Sequence, residues 1–190
     1  IDGQVINSYD GKTHPFTITD STVGPASGCH TLPGVGQASY RATRVLIRNH
    51  PDGFRISGPN VTIEDSYVKL CSRGGDHYDG VEDYPEGANV VIRHNTIDQR
   101  GAPDHTAPIF LTKVRNLTVA DNLVMGGTYS IRVYAQGGGP ITVRNNRAVN
   151  GAWDYGPVDA DCGSIAWSGN QLVEIDANYL VTRVIGALPC

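Results

Sequence analysis

VTIEDSYV, at residues 61–68, is one of six copies of a single phrase that recurs along this chain. The other copies are FTITDSTV at 16–23, VVIRHNTI at 90–97, LTVADNLV at 117–124, ITVRNNRA at 141–148 and IAWSGNQL at 165–172. The alternation of apolar and polar residues at the start of each copy is typical of a strand with one buried face. Because repeats of this period stack on one another, they determine the architecture of the whole chain.

Two columns of residues show how the copies align. The second apolar position of each copy holds Ile18, Ile63, Ile92, Val119, Val143 and Trp167. Three residues later, a polar position holds Ser21, Ser66, Asn95, Asn122, Asn146 and Asn170. Asparagine side chains in such a column can hydrogen-bond to one another and satisfy polar groups at a turn. We therefore interpret the asparagine column as structural.

The spacing of the copies predicts a coil. Successive residues of the second apolar column lie 45, 29, 27, 24 and 24 positions apart. The first interval spans two turns, and we expect an irregular coil over residues 40–49 within it. A second strand interleaves in the same phase at residues 54–56, 81–82, 109–111 and 131–133. Short strands stacked in phase, with no helical stretch between them, predict an all-β parallel β-helix of about six to seven coils, with residues 1–190 as a single domain.

The composition suits many short strands joined by tight turns. The chain has 23 glycines, 11 prolines and only 18% charged residues, which argues against a helical bundle. Its net charge of −4 and its lack of a basic stripe predict no nucleic-acid partner. The lack of a long apolar run predicts no membrane span. Because no charged-then-apolar leader precedes the rest of the chain, we expect a mature or trimmed product.

Four cysteines, with no C-x-x-C spacing, disfavour a zinc site. Two disulfides in a secreted, extracellular protein are the favoured interpretation, and the alternative is buried free thiols in a cytosolic protein. The pairing Cys29–Cys71 with Cys162–Cys190 would pin irregular segments near each end. Three pairings are possible, and the sequence does not choose among them.

The repeated phrase, together with HYDGVE at 77–82 and NVVIRHN at 89–95, resembles right-handed parallel β-helix proteins of the pectin-lyase-like superfamily. The resemblance covers nearly the whole chain. Members are mostly polysaccharide lyases, glycoside hydrolases and uronan epimerases, alongside phage tailspikes and binding proteins. The resemblance therefore implies a polysaccharide partner lying along a strand face, without specifying the chemistry.

Family motifs do not assign a catalytic residue here. In the superfamily, lyases commonly use an arginine or lysine base with calcium, and epimerases use aspartate, histidine and tyrosine. This chain lacks the Asp-Pro-His phrase of mannuronan epimerases and the Asp-Asp and Gly-His-Gly phrases of polygalacturonases. The candidate site must therefore come from the register of the strands.

Alignment of the interleaving strands brings three phrases into register: HPDGF at 50–54, HYDGV at 77–81 and HTAPI at 105–109. This alignment predicts a column of His50, His77 and His105 on consecutive rungs, about 4.8 Å apart. Asp52 and Asp79 would form a second column beside it. The densest polar segment of the chain, residues 73–84, lies in the same region.

A lyase or epimerase must neutralise a uronate carboxylate and remove the proton alpha to it. The candidate catalytic residues are His77, Asp79, Glu82, His105 and Arg132. Among them, His77 or His105 is the candidate base. Arg132 is expected to lie above Phe110 on the outward face, where a guanidinium and an aromatic ring suit sugar stacking. A solvated arginine is the alternative interpretation.

The candidate substrate-binding residues are Arg55, Phe110, Lys113, Tyr134 and Tyr78. Tyr134 or Tyr78 is the candidate acid, and Lys113 or Arg132 is the candidate group that binds the carboxylate.

The same acidic segment raises the possibility of a Ca²⁺ cofactor. Asp76, Asp79 and Asp83 are the candidate ligands, with Glu82 beside them, because calcium prefers carboxylate oxygens. Bound calcium would then neutralise the uronate instead of a basic side chain.

Structural interpretations compete with these roles. Asp79 shares its Asp-Gly setting with Asp52, so both can simply shape a turn. Glu82 can form a surface ion pair with Arg55, and His94 is interpreted as a polar turn residue. Two functional alternatives also stay open: a glycoside hydrolase with carboxylates about 5 to 5.5 or 6.5 to 9.5 Å apart, and a non-catalytic glycan-binding protein.

Overall fold

The computed structural model describes residues 1–7, 12, 14–75 and 77–190. In them the chain winds into a right-handed parallel β-helix of about six coils. The fold class predicted from the repeats is therefore confirmed. One 3-10 helix, Cys162–Ser164, is the only helical segment of the described residues. None of their helical residues forms a segment long and apolar enough to cross a bilayer.

One parallel sheet takes a single strand from each coil. Its strands, in spatial order, are β1 (Val5–Ile6), β3 (Val35–Gly36), β5 (Phe54–Ile56), β8 (Tyr78–Asp83), β11 (His105–Leu111), β14 (Tyr129–Val133) and β17 (Gly156–Ala160). Val81 pairs with Phe54 on one side and with Ile109 on the other. This register confirms the predicted interleaving strand.

The second sheet has thirteen strands and wraps the rest of each coil. They are β2 (Phe16–Val23), β4 (Tyr40–Arg48), β6 (Pro59–Glu64), β7 (Tyr67–Lys69), β9 (Gly87–Arg93), β10 (Thr96–Asp98), β12 (Val114–Ala120), β13 (Leu123–Met125), β15 (Ile141–Arg144), β16 (Arg147–Val149), β18 (Ala166–Ser168), β19 (Gln171–Ile175) and β20 (Val181–Ala187). Among the strands of the described residues, β20 alone pairs in the antiparallel sense, against β19.

The apolar columns of the repeat form the core, since residues such as Ile63, Ile92 and Val119 are completely buried. The asparagine column forms a buried ladder. The Nδ2 of Asn95 donates to the Oδ1 of Asn122 over 2.9 Å, and the same bond recurs between the later members of the column. These bonds confirm that the asparagine column is structural.

The 45-residue interval contains an additional coil, as predicted, but the expectation that residues 40–49 are irregular is wrong. That segment contains β4, a regular nine-residue strand that pairs in parallel with β2, Phe16 opposite Tyr40. The strand lacks the repeated phrase because Tyr40 fills the core and Arg41, where most copies have threonine, forms an ion pair with the buried Glu64. A seventh copy of the strand was therefore present without its sequence signature.

All four cysteines are bonded, and the structure selects one of the three possible pairings. Cys29 joins Cys71 across 42 positions, and Cys162 joins Cys190 across 28. The first bond ties the loop that follows β2 to the end of the coil containing β7. The second ties the C-terminus to the last coil.

Candidate functional site

Five residues on consecutive strands of the seven-stranded sheet form one outward-facing column. Arg55 pairs with Glu82, Glu82 with Phe110, Phe110 with Arg132, and Arg132 with Asp159. We call this set the outer column. Its members project outward because side chains alternate between the two faces of a strand and their neighbours fill the core. The column places charged and aromatic groups on successive rungs about 4.8 Å apart.

Within the outer column, Arg132 contacts several aromatic rings and polar groups. Its guanidinium carbon lies 4.8, 5.5 and 6.0 Å from the ring centroids of Phe110, Tyr129 and Tyr134. Its Nε donates to the Oδ2 of Asp159 over 3.2 Å, and its Nη2 donates to the hydroxyl of Tyr134 over 3.1 Å. The Tyr134 hydroxyl donates in turn to Asp159 over 2.6 Å. Aromatic faces, a guanidinium and a carboxylate therefore converge at one point.

A groove of about 640 Å³ opens beside this point. We call it the Arg132 groove, and its lining includes His77, His105, Tyr129, Arg132, Tyr155 and Asp159. Tyr155 is highly exposed, and its ring centroid lies 6.0 Å from that of Tyr129. The groove is thus built from the segments that enter β8, β11, β14 and β17.

The predicted column of three histidines is wrong. A bulge between His105 and Ala107 shifts the register, so that His105 pairs with Tyr78 instead of His77. His50 is completely buried, with Nδ1 2.7 Å from the carbonyl oxygen of Leu32 and Nε2 2.9 Å from that of Gly3. Burial lowers the pKa of His50. His50 is thus an internal residue, whereas His77 and His105 both line the groove.

The two groove histidines differ in exposure and in hydrogen bonding. The Nε2 of His105 lies 3.1 Å from the Oδ2 of Asp154, and its Nδ1 is buried with no hydrogen-bond partner among the described residues. The Nε2 of His105 is therefore engaged by Asp154, and its Nδ1 is shielded from solvent. His77, by contrast, is exposed at the groove surface.

A cluster of carboxylates lies at the other end of the outer column. The Nε of Arg55 donates to Glu82 over 2.6 Å, and its Nη2 lies 3.2 Å from the Oδ2 of Asp52. Burial and the neighbouring Glu82 raise the pKa of Asp52 to about 7. Burial, together with Glu82 and Asp52, raises the pKa of Asp79 well above its usual range.

Asp52 and Asp79 also hold consecutive coils together. The Oδ1 of Asp52 accepts the backbone N–H of Asp79 over 3.2 Å, and the Oδ1 of Asp79 accepts that of Ala107 over 3.0 Å. The predicted aspartate column is therefore confirmed, and its hydrogen bonds join consecutive coils. The Arg55–Glu82 ion pair is confirmed as well.

The family model that matches this chain is that of the right-handed beta helix region, over residues 5–180. The chain belongs to the right-handed β-helix family. No curated protein and no solved structure matches it. A domain of this family is compatible with carbohydrate-active proteins.

None of the five predicted substrate-binding residues of this β-helix protein lines the Arg132 groove itself. Arg55 and Phe110 lie in the outer column and Tyr134 contacts Arg132, whereas the other two belong to neither set. Tyr78 is buried in the core, and its hydroxyl accepts the backbone N–H of Arg73 over 3.0 Å. It packs between coils and does not face a substrate on the surface. Lys113 is exposed in the turn after β11, where its backbone N–H donates to Asp83.

The two predicted calcium ligands that the structure describes, Asp79 and Asp83, do not converge. Asp76 lies outside the described residues. Asp79 and Asp83 are four positions apart on one strand, about 13 Å along it. Both oxygens of Asp83 accept backbone N–H groups, from Thr112 over 2.6 Å and Lys113 over 2.8 Å. Among the described residues, no three His, Cys, Asp or Glu side chains are arranged to hold a metal ion.

Residues that were not predicted include Tyr129, Tyr155 and Asp159, which line the groove, and Asp154, which contacts the groove residue His105. The strand register could have predicted two of these residues. Asp159 follows Arg132 in the outer column, and Tyr129 lies three residues before Arg132, as Asp79 lies before Glu82. Asp154 and Tyr155 lie in the irregular segment before β17, whose path cannot be read from the alternation of a strand.

Proposed function

We propose that this β-helix acts on a uronate-containing polysaccharide that lies along the outer column and enters the Arg132 groove. The observation that carries the proposal is the environment of Arg132, whose guanidinium faces three aromatic rings beside an exposed histidine. Aromatic faces bind the apolar faces of sugar rings, and a guanidinium binds a carboxylate through a planar fork of N–H groups. The two disulfides are compatible with an extracellular partner of this kind.

The proposed chemistry is removal of the proton alpha to the uronate carboxylate. Arg132 would bind the carboxylate and stabilise the negative charge that develops on it as the proton leaves. Asp159 accepts from the same guanidinium, so the substrate carboxylate must share or replace that contact. Binding would therefore be strongest where the substrate presents its charge in the plane of the guanidinium.

His77 is the proposed base, because it is exposed in the groove while the ring nitrogens of His105 are engaged or buried. Tyr134 is the proposed acid. Burial raises the pKa of Tyr134, so its hydroxyl keeps its proton at neutral pH. In the lyase reaction the carbanion electrons form a carbon–carbon double bond, the glycosidic oxygen leaves, and Tyr134 protonates that oxygen. In epimerisation a proton returns to the same carbon from the opposite face.

The test is incubation with a panel of uronate polysaccharides, followed by absorbance of the unsaturated product and by NMR for epimerised residues. We expect turnover by the native protein and its loss in His77→Ala and Arg132→Gln, with the fold retained. Arg115→Gln is the matched control, since Arg115 is an exposed arginine on the other sheet. Binding without turnover on any substrate would overturn the catalytic proposal and leave a glycan-binding protein.

Glycoside hydrolysis is a second candidate, favoured by the contrast between Asp52 and Glu82. Asp52 has a pKa of about 7, which suits a general acid, whereas Glu82 is ion-paired with Arg55. Both carboxylates contact the same Nη2 atom of Arg55. New reducing ends without an unsaturated product, lost in Asp52→Asn and kept in His77→Ala, would favour hydrolysis over elimination.

A further inference from the structure

A second groove lies on the thirteen-stranded sheet and owes its existence to the C-terminal segment. After β19 the chain turns back across the outer face of that sheet. There Ile175 and Tyr179 cover Met125, Val149 and Val173, which form a small apolar cluster outside the main core. The returning segment therefore projects from the outer face of the sheet and forms one wall of the groove.

This wall is fixed by a buried anchor. The hydroxyl of Tyr179 lies 2.7 Å from that of Tyr67 and donates to the Oδ2 of Asp98 over 2.9 Å. Although burial opposes its ionisation, hydrogen bonds from Arg100 and Lys69 lower the pKa of Asp98 to about 2. Asp98 stays charged above that pH, so the wall is held by a charge-assisted network and not by loop contacts alone.

The opposite wall is a stacked row of turn residues. Asp65, His94 and Asp121 occupy the same position in successive coils, with φ between 54° and 60°, and their side chains point outward. The backbone N–H of each of the three donates to a carbonyl oxygen of the next coil. Between this row and Leu180 of the C-terminal segment lies a groove of about 450 Å³.

The floor of the groove is an outward column of the sheet. Tyr67, Thr96, Leu123 and Arg147 pair in order on successive strands. A further space of about 490 Å³ continues past Arg147 and is also lined by His94 and Asp121. The two spaces therefore form one groove parallel to the helix axis, which we call the C-terminal groove.

We infer that the C-terminal groove binds a linear, neutral oligosaccharide. It presents carboxylate, imidazole, hydroxyl and guanidinium groups to sugar hydroxyls, with Tyr67, Leu123 and Leu180 as apolar surfaces for ring faces. The polar groups recur on every rung, about 4.8 Å apart, so the groove suits a polymer with a repeating unit.

The lining of the C-terminal groove has no excess of positive charge that would attract a polyanion. Asp65 lies 2.6 Å from the Nδ1 of His94, and Asp121 lies 3.8 Å from the Nη1 of Arg144, so both carboxylates have basic neighbours. Arg147 adds one positive charge. A polyuronate would face the two carboxylates of the wall, whereas a neutral glycan can accept from Arg147 and donate to them.

The geometry of the C-terminal groove also favours a glycan ligand over an extended peptide. The floor is the face of a paired sheet, and it offers side chains but no free backbone edge for an added strand. None of the residues that line the C-terminal groove lines the Arg132 groove. The inference is independent of the proposed chemistry, and the two sites can be tested separately.

The experiment is titration of the full chain with neutral hexasaccharides of β-linked glucan, xylan and mannan, by calorimetry and NMR shift mapping. We expect saturable binding to at least one, weakened about tenfold or more in the double variant Asp121→Asn and Arg147→Ala, since hydrogen bonds to charged groups are lost. Both side chains are exposed, and asparagine tolerates the positive φ of position 121, so the fold should be retained. The unfolding temperature checks this.

Arg132→Gln is the matched control and should leave neutral-glycan affinity unchanged, whereas it should abolish uronate turnover. The inference is overturned if no neutral hexasaccharide binds, or if binding survives in the double variant. Loss of binding in Arg132→Gln would also overturn it, because the ligand would then occupy the other groove. A preference for uronate oligosaccharides or for extended peptides at the C-terminal groove would overturn the stated ligand class.

Discussion

The guanidinium carbon of Arg132 lies 4.8 Å from the centroid of the Phe110 ring, one rung away in the outer column. A cation over an aromatic face at this distance contributes about 0.5 to 2 kcal/mol, depending on how far it is desolvated. Arg132 is half-buried and also contacts two tyrosine rings. The ring of Phe110 therefore helps to hold the guanidinium in the orientation that the groove requires.

Replacement of Phe110 by leucine keeps apolar area on the rung but removes the aromatic face. We expect the affinity for uronate oligosaccharides to fall about fivefold or more, because Arg132 loses one of its supports. The unfolding temperature should change little, since Phe110 is half-buried on the outer surface. Calorimetric titration checks the affinity. Val91→Ala, a half-buried outward position of the other sheet, is the control, and an equal loss of affinity there would contradict the prediction.

Asp159→Asn should strengthen uronate binding. Asp159 accepts from Arg132 and from Tyr134, so it occupies the guanidinium that a substrate carboxylate would use. Removal of its charge should lower the dissociation constant several-fold, with a stability change within about 1 kcal/mol. Asp20→Asn, which removes a bidentate ion pair with Arg44 far from the groove, is the matched control. Weaker uronate binding in Asp159→Asn would show that Asp159 itself contacts the sugar.

Asp52 should make stability depend on pH. Its pKa is about 7 in the folded protein and near 4 in the unfolded chain, so the folded state binds the proton more tightly. This contribution is complete below about pH 4 and is lost as the pH rises through 7. One pKa unit corresponds to about 1.4 kcal/mol, which limits the loss to a few kcal/mol.

The measurement is urea unfolding of the native protein and of Asp52→Asn at pH 5 and pH 8. The asparagine cannot titrate, so the stability of the native protein relative to the variant should be greater at pH 5 than at pH 8. A difference between the two proteins that is the same at both pH values would show that Asp52 does not carry the effect.

The asparagine ladder should be far more sensitive than a surface asparagine. Asn122→Ala removes the oxygen that accepts from both the backbone N–H and the Nδ2 of Asn95, and leaves these buried donors without that partner. We expect a loss of about 3 kcal/mol or more in the free energy of unfolding. Asn178→Ala, at an exposed position outside the ladder where φ is not positive, should cost well under 1 kcal/mol. Similar costs at the two positions would contradict a structural ladder.

The fold was predictable because its signal is local and repeated. Alternation places Ile63 and Ile92 inward whatever the rest of the chain does, and the spacing between copies defines one coil. The buried asparagines and the outer column could be aligned from the same spacing. Strand β4 was missed because its sequence, with Tyr40 and Arg41 at its start, does not match the repeated phrase. Tyr40 is buried in the core and Arg41 forms an ion pair with Glu64, and only these tertiary contacts identify the strand.

The sequence by itself determined the β-helix, the strand register on Phe54, Val81 and Ile109, and the pairing of Arg132 with Phe110. Tertiary structure alone decided which histidines line the groove. The bulge after His105 shifts the register, so His105 pairs with Tyr78 and not with His77. Tertiary structure also decided the C-terminal groove, since Tyr179 reaches Asp98 across 81 positions. Strand alternation is a property of neighbouring residues, whereas bulges and returning segments depend on contacts between coils that no local pattern encodes.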